Sequence, residues 1–230
     1  MPDRLHQDGA DTAVKPPALS VHVLLPEGLD RRLERRTDNM LGASWPAWGG
    51  HITLVPSFLP LANIEEIRQI IENVTGTVAP LTLHFAEPVA VPDVTRPGYF
   101  AVLLKVEEQD AQAASSAQAV SDEVVEADDV PLPTRLTQLR QQLLDALRPM
   151  RQDLRPQLVE QRFAPHVTLA LGLGEIEART LVRHLRAEPI TAEFTVDTIW
   201  LLTHIAGEQA RVDRQAIPLG RVATSKDPSR

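Results

Sequence analysis

The chain contains no cysteine. A disulfide framework, a thiol nucleophile and a thiolate metal site are therefore all excluded. No uninterrupted apolar run approaches the roughly 18–20 residues that span a bilayer. The first residues, MPDRLHQDGADTAVKPP, carry no apolar h-region of the kind a secretory signal needs. A cytoplasmic location with no membrane partner is the expectation. Aromatic residues are scarce, at 4% of 230 residues. An excess of basic residues is also missing: the formal net charge is -8. Residues 107–130 hold eight acidic residues and no basic one, and outside them 23 basic face 23 acidic residues. Neither part has the basic surplus of a protein that tracks long nucleic acid by its phosphates. A small nucleotide or a nucleic-acid end needs only a few local donors and stays open as a partner.

Apolar residues make up 43% of the chain and the mean hydropathy is -0.14, values of a globular protein with a real core. Residues 1–18 and 221–230 read as polar tails. Between them, one domain is expected over 19–220, with a first lobe at about 19–106, an acidic insertion at 107–130 and a second lobe at about 131–220. The first half begins with the β-rich LSVHVLLP, then a helix over 28–41, the strand HITLVPSFL, a helix over 63–74 with Asn63 as N-cap, and strands over 81–91 and 99–106. The second half runs through a leucine-striped helix over 133–150, the strand FAPHVTLALG, a helix over 174–188, one long strand over 191–205 and a last strand over 210–219. Each half thus reads helix, histidine-bearing strand, helix, strand, strand. The expected fold is α+β, a bilobal pseudo-two-fold duplication with antiparallel sheets, helices on the outer faces and a central cleft. A monomer is expected.

The same tetrapeptide occupies the same place in each half: His51-Ile52-Thr53-Leu54 and His166-Val167-Thr168-Leu169. Side chains alternate across a strand, so each histidine shares a face with its threonine, opposite the bulky aliphatics. Under two-fold symmetry, two imidazole–hydroxyl pairs would face each other across a cleft. That set suits acid–base chemistry on a phosphate ester. One neutral imidazole takes a proton while the other, protonated, gives one to the leaving oxygen. Histidine's ordinary pKa of about 6.5 makes both forms accessible. The hydroxyls would bind non-bridging phosphate oxygens. No metal or other cofactor is implied, and no H-E-x-x-H, Walker loop or G-x-S-x-G is found. Two bland alternatives are a pair of ordinary strand histidines and a histidine metal site, the latter short of nearby carboxylates.

The pair HITL and HVTL, half a chain apart and set in HITLVPSF and FAPHVTLA, resembles the motifs of the two-histidine phosphoesterase superfamily. That group contains 2',5'-RNA ligase-like and cyclic-nucleotide phosphodiesterase proteins. The resemblance covers roughly residues 19–219. It implies a bilobal α+β fold with His51 and His166 as catalytic histidines and Thr53 and Thr168 as phosphate-binding hydroxyls. It also implies hydrolysis or transesterification of 2',3'-cyclic phosphates or 2',5'-linked nucleotides. The substrate would be a small cyclic nucleotide or an RNA end. Ligation is the reverse reaction, and a non-catalytic binding module of the same fold, or an interaction protein acting through the acidic segment, are the rivals. Candidate substrate-binding residues are Trp48, in the loop before the first motif, Tyr99 after a Pro-Gly turn, and Arg162 four residues before His166. Among the other histidines, the strand residues His22, His84 and His204 are expected to be structural, with His22 the one to seek near the cleft.

Overall fold

The computed structural model describes residues 16–37, 45–46, 48–94, 96–109, 134–206 and 211–220. The elements follow in the order β1 (Ala18–Leu24), α1 (Glu27–Thr37), β2 (His51–Pro60), α2 (Ile64–Thr75), β3 (Leu81–Pro92) and β4 (Phe100–Glu108). The second part contributes α3 (Arg135–Leu147), β5 (Arg151–Asp153), α4 (Pro156–Glu160), β6 (His166–Leu173), α5 (Glu175–Ala187), β7 (Glu193–Val196), β8 (Thr198–Ile205) and β9 (Arg211–Pro218).

All pairings are antiparallel and form two sheets, β5-β2-β1-β8-β9 and β6-β4-β3-β7. With the short β5 set aside, the two orders correspond. A histidine-bearing strand (β2 or β6) pairs with the strand that precedes it (β1 or β4), and two further strands complete each sheet. The expected α+β architecture with a pseudo-two-fold is present. The sheets, however, do not part the chain near residues 106 and 131. The first sheet draws β1 and β2 from the first half and β8 and β9 from the last, and the second sheet mixes β3 and β4 with β6 and β7. The two lobes exchange strands.

The exchange shows most clearly at 191–205, expected as one strand. The chain breaks at Asp197: β7 finishes against β3 in the second sheet, and β8 begins against β1 in the first. The Asp197 carbonyl accepts the Leu219 amide (2.8 Å) and its Oδ1 accepts the Thr198 hydroxyl (2.9 Å), which fixes the crossing.

The helices bury the sides the sequence periodicity picks out. In α2 the Asn63 side chain accepts the Glu65 amide (2.9 Å) as an N-cap, and Ile67 and Ile71 face inward. In α3 the stripe Leu136, Leu139, Leu143, Leu144 and Leu147 is buried. That helix packs on α2 and β2, while α5 covers β3 and β4. Two residues differ from expectation at the acidic segment. Glu107 and Glu108 belong to β4, and the Glu108 side chain is nearly fully buried, its carboxylate holding the Leu136 amide (3.1 Å) and Arg135 Nε (2.5 Å) at the start of α3. The rest of 107–130 beyond Gln109, like both tails up to residue 15 and from 221, lies outside the described residues.

Candidate active site

The inner face of the first sheet is built by period-2 alternation. Ile52 and Leu54 are fully buried on the core side of β2, while His51 and Thr53 are half-buried on the other. In register, Leu24 lies opposite His51 and His22 opposite Thr53. On β6, Val167 and Leu169 are buried and His166 and Thr168 are half-exposed, with Lys105 opposite His166 and Leu103 opposite Thr168. β2 and β6 touch, and His166 is close enough to His51 for its positive charge to oppose protonation of His51. The four motif residues are thus brought to one place, each pair on the inner face of its own sheet.

Both imidazoles are tethered in the same way. His51 Nδ1 donates to the Gly49 carbonyl (3.0 Å) and His166 Nδ1 to the Ala164 carbonyl (2.7 Å), in each case the residue two before. A carbonyl can only accept, so Nδ1 carries the proton in both rings and Nε2 is left with the lone pair in the neutral form. Gly49 adopts φ +88, a conformation open to glycine, and the adjoining Gly50 amide donates to Asp30 Oδ1 (2.5 Å). The same oxygen accepts Trp45 Nε1 (3.0 Å), so α1, through Asp30, fixes the loop that orients His51.

Behind His51 lies a second group of rings. His22, 5% exposed, meets His51 edge-to-face with centroids 4.7 Å apart. Its Nε2 bonds the Ser20 hydroxyl (2.8 Å), which also bonds His204 Nε2 (2.7 Å). Trp48 closes the ring, 5.7 Å from His51 and 5.3 Å from His204 by centroid. His22 Nδ1 and Trp48 Nε1 are buried and find no hydrogen-bond partner among the described residues.

This packing sets the local electrostatics. Burial holds the His51 imidazole below its ordinary 6.5. The bond to the Gly49 carbonyl opposes that shift, as does the Asp30 carboxylate, while positive charge on His166 or His204 reinforces it. Burial pushes His22 much further down, helped by His51 and His204, and it also lowers His204. The first sheet therefore presents neutral imidazoles near neutral pH.

Of the candidate binding residues, Trp48 stands against His51. Arg162 is exposed in the short segment leading into β6. Tyr99 is not brought to the histidines. It lies at the tip of the β3–β4 hairpin, six residues along from Lys105, the partner of His166, or about 20 Å at ~3.3 Å per residue. Sequence reading missed Ser20 and His204. The alternation in Leu19-Ser20-Val21-His22-Val23 already places Ser20 and His22 on one face, whereas His204 joins them only through the pairing of β1 with β8. Among the described residues no group of three or more His, Cys, Asp or Glu converges as a metal would require.

Comparison with known proteins bears on this geometry. A family model described as the 2'-5' RNA ligase superfamily matches residues 25–208. Among solved structures, the crystal structure of TT0787 of Thermus thermophilus aligns with a TM-score of 0.52 over 88% of this chain and 98% of that one, at 14% identity, a likeness of fold. No curated protein matches the chain.

Proposed function

The chain belongs to the 2'-5' RNA ligase superfamily, and from that premise we propose that it is a metal-independent phosphodiesterase that opens a 2',3'-cyclic phosphate or cleaves a 2',5'-linked nucleotide or RNA end. The observation that carries this reading is the matched tethering of His51 and His166 by the carbonyls of Gly49 and Ala164. Two rings locked in one tautomer, with both Nε2 atoms left for substrate, are what a proton-in, proton-out reaction needs.

The burial of His51 assigns it the base role, and His166 takes the complementary one. His51, held neutral by burial, accepts a proton at Nε2 from the attacking water. The water oxygen bonds to phosphorus, and the bond from phosphorus to one ribose oxygen breaks. His166, protonated at Nε2, donates to that oxygen as it leaves. Thr53 and Thr168 give their hydroxyl hydrogens to the non-bridging oxygens, where charge grows. With a ribose 5'-hydroxyl in place of water, the same groups in the same roles join 2'-5' ends: its oxygen bonds to the cyclic phosphorus as the bond to the 3' oxygen breaks, and the roles are exchanged only in the reverse cleavage.

The test is incubation of the protein, in EDTA, with the four nucleoside 2',3'-cyclic monophosphates, resolving 2'- from 3'-phosphate products. Turnover that drops by ~10²–10⁴-fold in His51→Ala and in His166→Ala supports the reading. Ligand binding with no turnover of these or of 2',5'-linked dinucleotides would replace it with a binding module.

A further inference from the structure

A cavity of about 400 Å³ opens beside the Trp48–Gly49 loop, within the size range of small-ligand sites. Two indoles, Trp48 and Trp200, line it together with the carboxylates of Glu27, Asp30 and Asp197 and the guanidinium of Arg214. Its place relative to the histidines is set by register. Trp200 lies opposite His22, and His22 opposite Thr53, all on the inner face. Trp200 therefore stands two strands from the phosphate-binding threonine, about 10 Å at ~4.8 Å per strand, a span that one ribose bridges.

The lining selects what can enter. Indole faces stack on planar bases of any sequence. With Glu27 balanced by Arg31, the carboxylates of Asp30 and Asp197 against the one guanidinium of Arg214 leave the cavity a net negative character, which turns away a phosphate and favours ring and amino N–H donors. Asp30 commits Oδ1 to Gly50 and Trp45, and Glu27 pairs with Arg31, whereas Asp197 is exposed at the strand crossing, where its Oδ1 accepts the Thr198 hydroxyl.

We propose that this cavity is the base subsite of the enzyme and that it prefers a base presenting adjacent N–H donors, guanine above all, over uracil, whose single N–H sits between two carbonyls that carboxylates repel. The inference rests on the reading that the phosphate sits at the two histidine–threonine pairs.

Calorimetric titration of the intact protein with 3'-GMP and 3'-UMP tests it separately from catalysis. Expected are at least ~10-fold tighter binding of 3'-GMP, a ~10-fold weakening of that binding in Trp200→Leu, and a preference that falls toward unity in Asp197→Asn, which removes the charge but keeps an oxygen for the Thr198 hydroxyl. On cyclic substrates, Trp200→Leu should raise KM more than it lowers kcat. Equal affinities for the two nucleotides, or affinities unmoved by both variants, would overturn the subsite even if turnover by the two histidines stands. Guanine-selective binding sensitive to Trp200→Leu, with no cyclic phosphate turned over, would uphold the subsite and remove the catalytic reading.

Discussion

At the scale of single residues, the site depends on what surrounds two imidazoles rather than on the imidazoles alone. Burial under Trp48 and against His22 lowers the pKa of His51, and the Asp30 carboxylate partly restores it. A base with a lowered pKa stays deprotonated to lower pH, so the acid limb of the kcat/KM profile should fall below pH 6.5. Asp30→Asn keeps an oxygen for the Gly50 amide and the Trp45 indole but removes the charge. It should move the limb further toward acid. A shift toward neutral pH would mean that Asp30 acts on His51 chiefly through position. The histidine–threonine pairs were legible in the sequence because a strand's two-residue period is strict. His204 was not, because no local pattern records which strand will pair with β1.

At the scale of elements, the loop before β2 is a built part of the site. Gly49 and Gly50 bring the backbone close to Asp30, and a Cβ at Gly50 would come within 2.6 Å of the Trp45 ring and 2.8 Å of Leu25. Gly50→Ala must therefore push aside the Trp45 ring and the Leu25 side chain, and with Trp45 it disturbs the Asp30 contacts that hold the loop carrying the His51 tether. Its kcat should fall by on the order of 10²-fold, as for other misplacements of a catalytic group, while the thermal midpoint moves by only a few degrees. Activity close to wild type would show that the tether tolerates the shift. The long helices were readable from their apolar stripes and caps. The three-residue β5 and five-residue α4 were not, since neither is long enough to show a period. The break at Asp197 escaped for a related reason: both of its sides have strand-like composition, and only the partners differ.

At the scale of the whole molecule, strand exchange binds the halves together. Each sheet takes strands from both halves of the chain, so neither half can complete a sheet or bury its inner strands alone. Fragments 1–109 and 134–230 should each fail to give a cooperative thermal transition by circular dichroism, and the full chain should unfold in a single one. A fragment that melted cooperatively by itself would contradict the exchange. The duplication itself was visible as a repeated order of elements. Which copy's strands would sit beside which histidine was not, because both pairings satisfy the same alternation and the choice is made by packing across the interface.

The central claim is that His51 and His166 act as one acid–base unit. It is tested most directly by comparing turnover of a 2',3'-cyclic monophosphate by wild type, His51→Ala, His166→Ala and the double variant under one set of conditions. Groups that work as a unit are strongly non-additive, so the double variant should be no more than about tenfold slower than the slower single variant. Either single variant retaining near wild-type turnover, or losses that multiply in the double variant, would contradict the account.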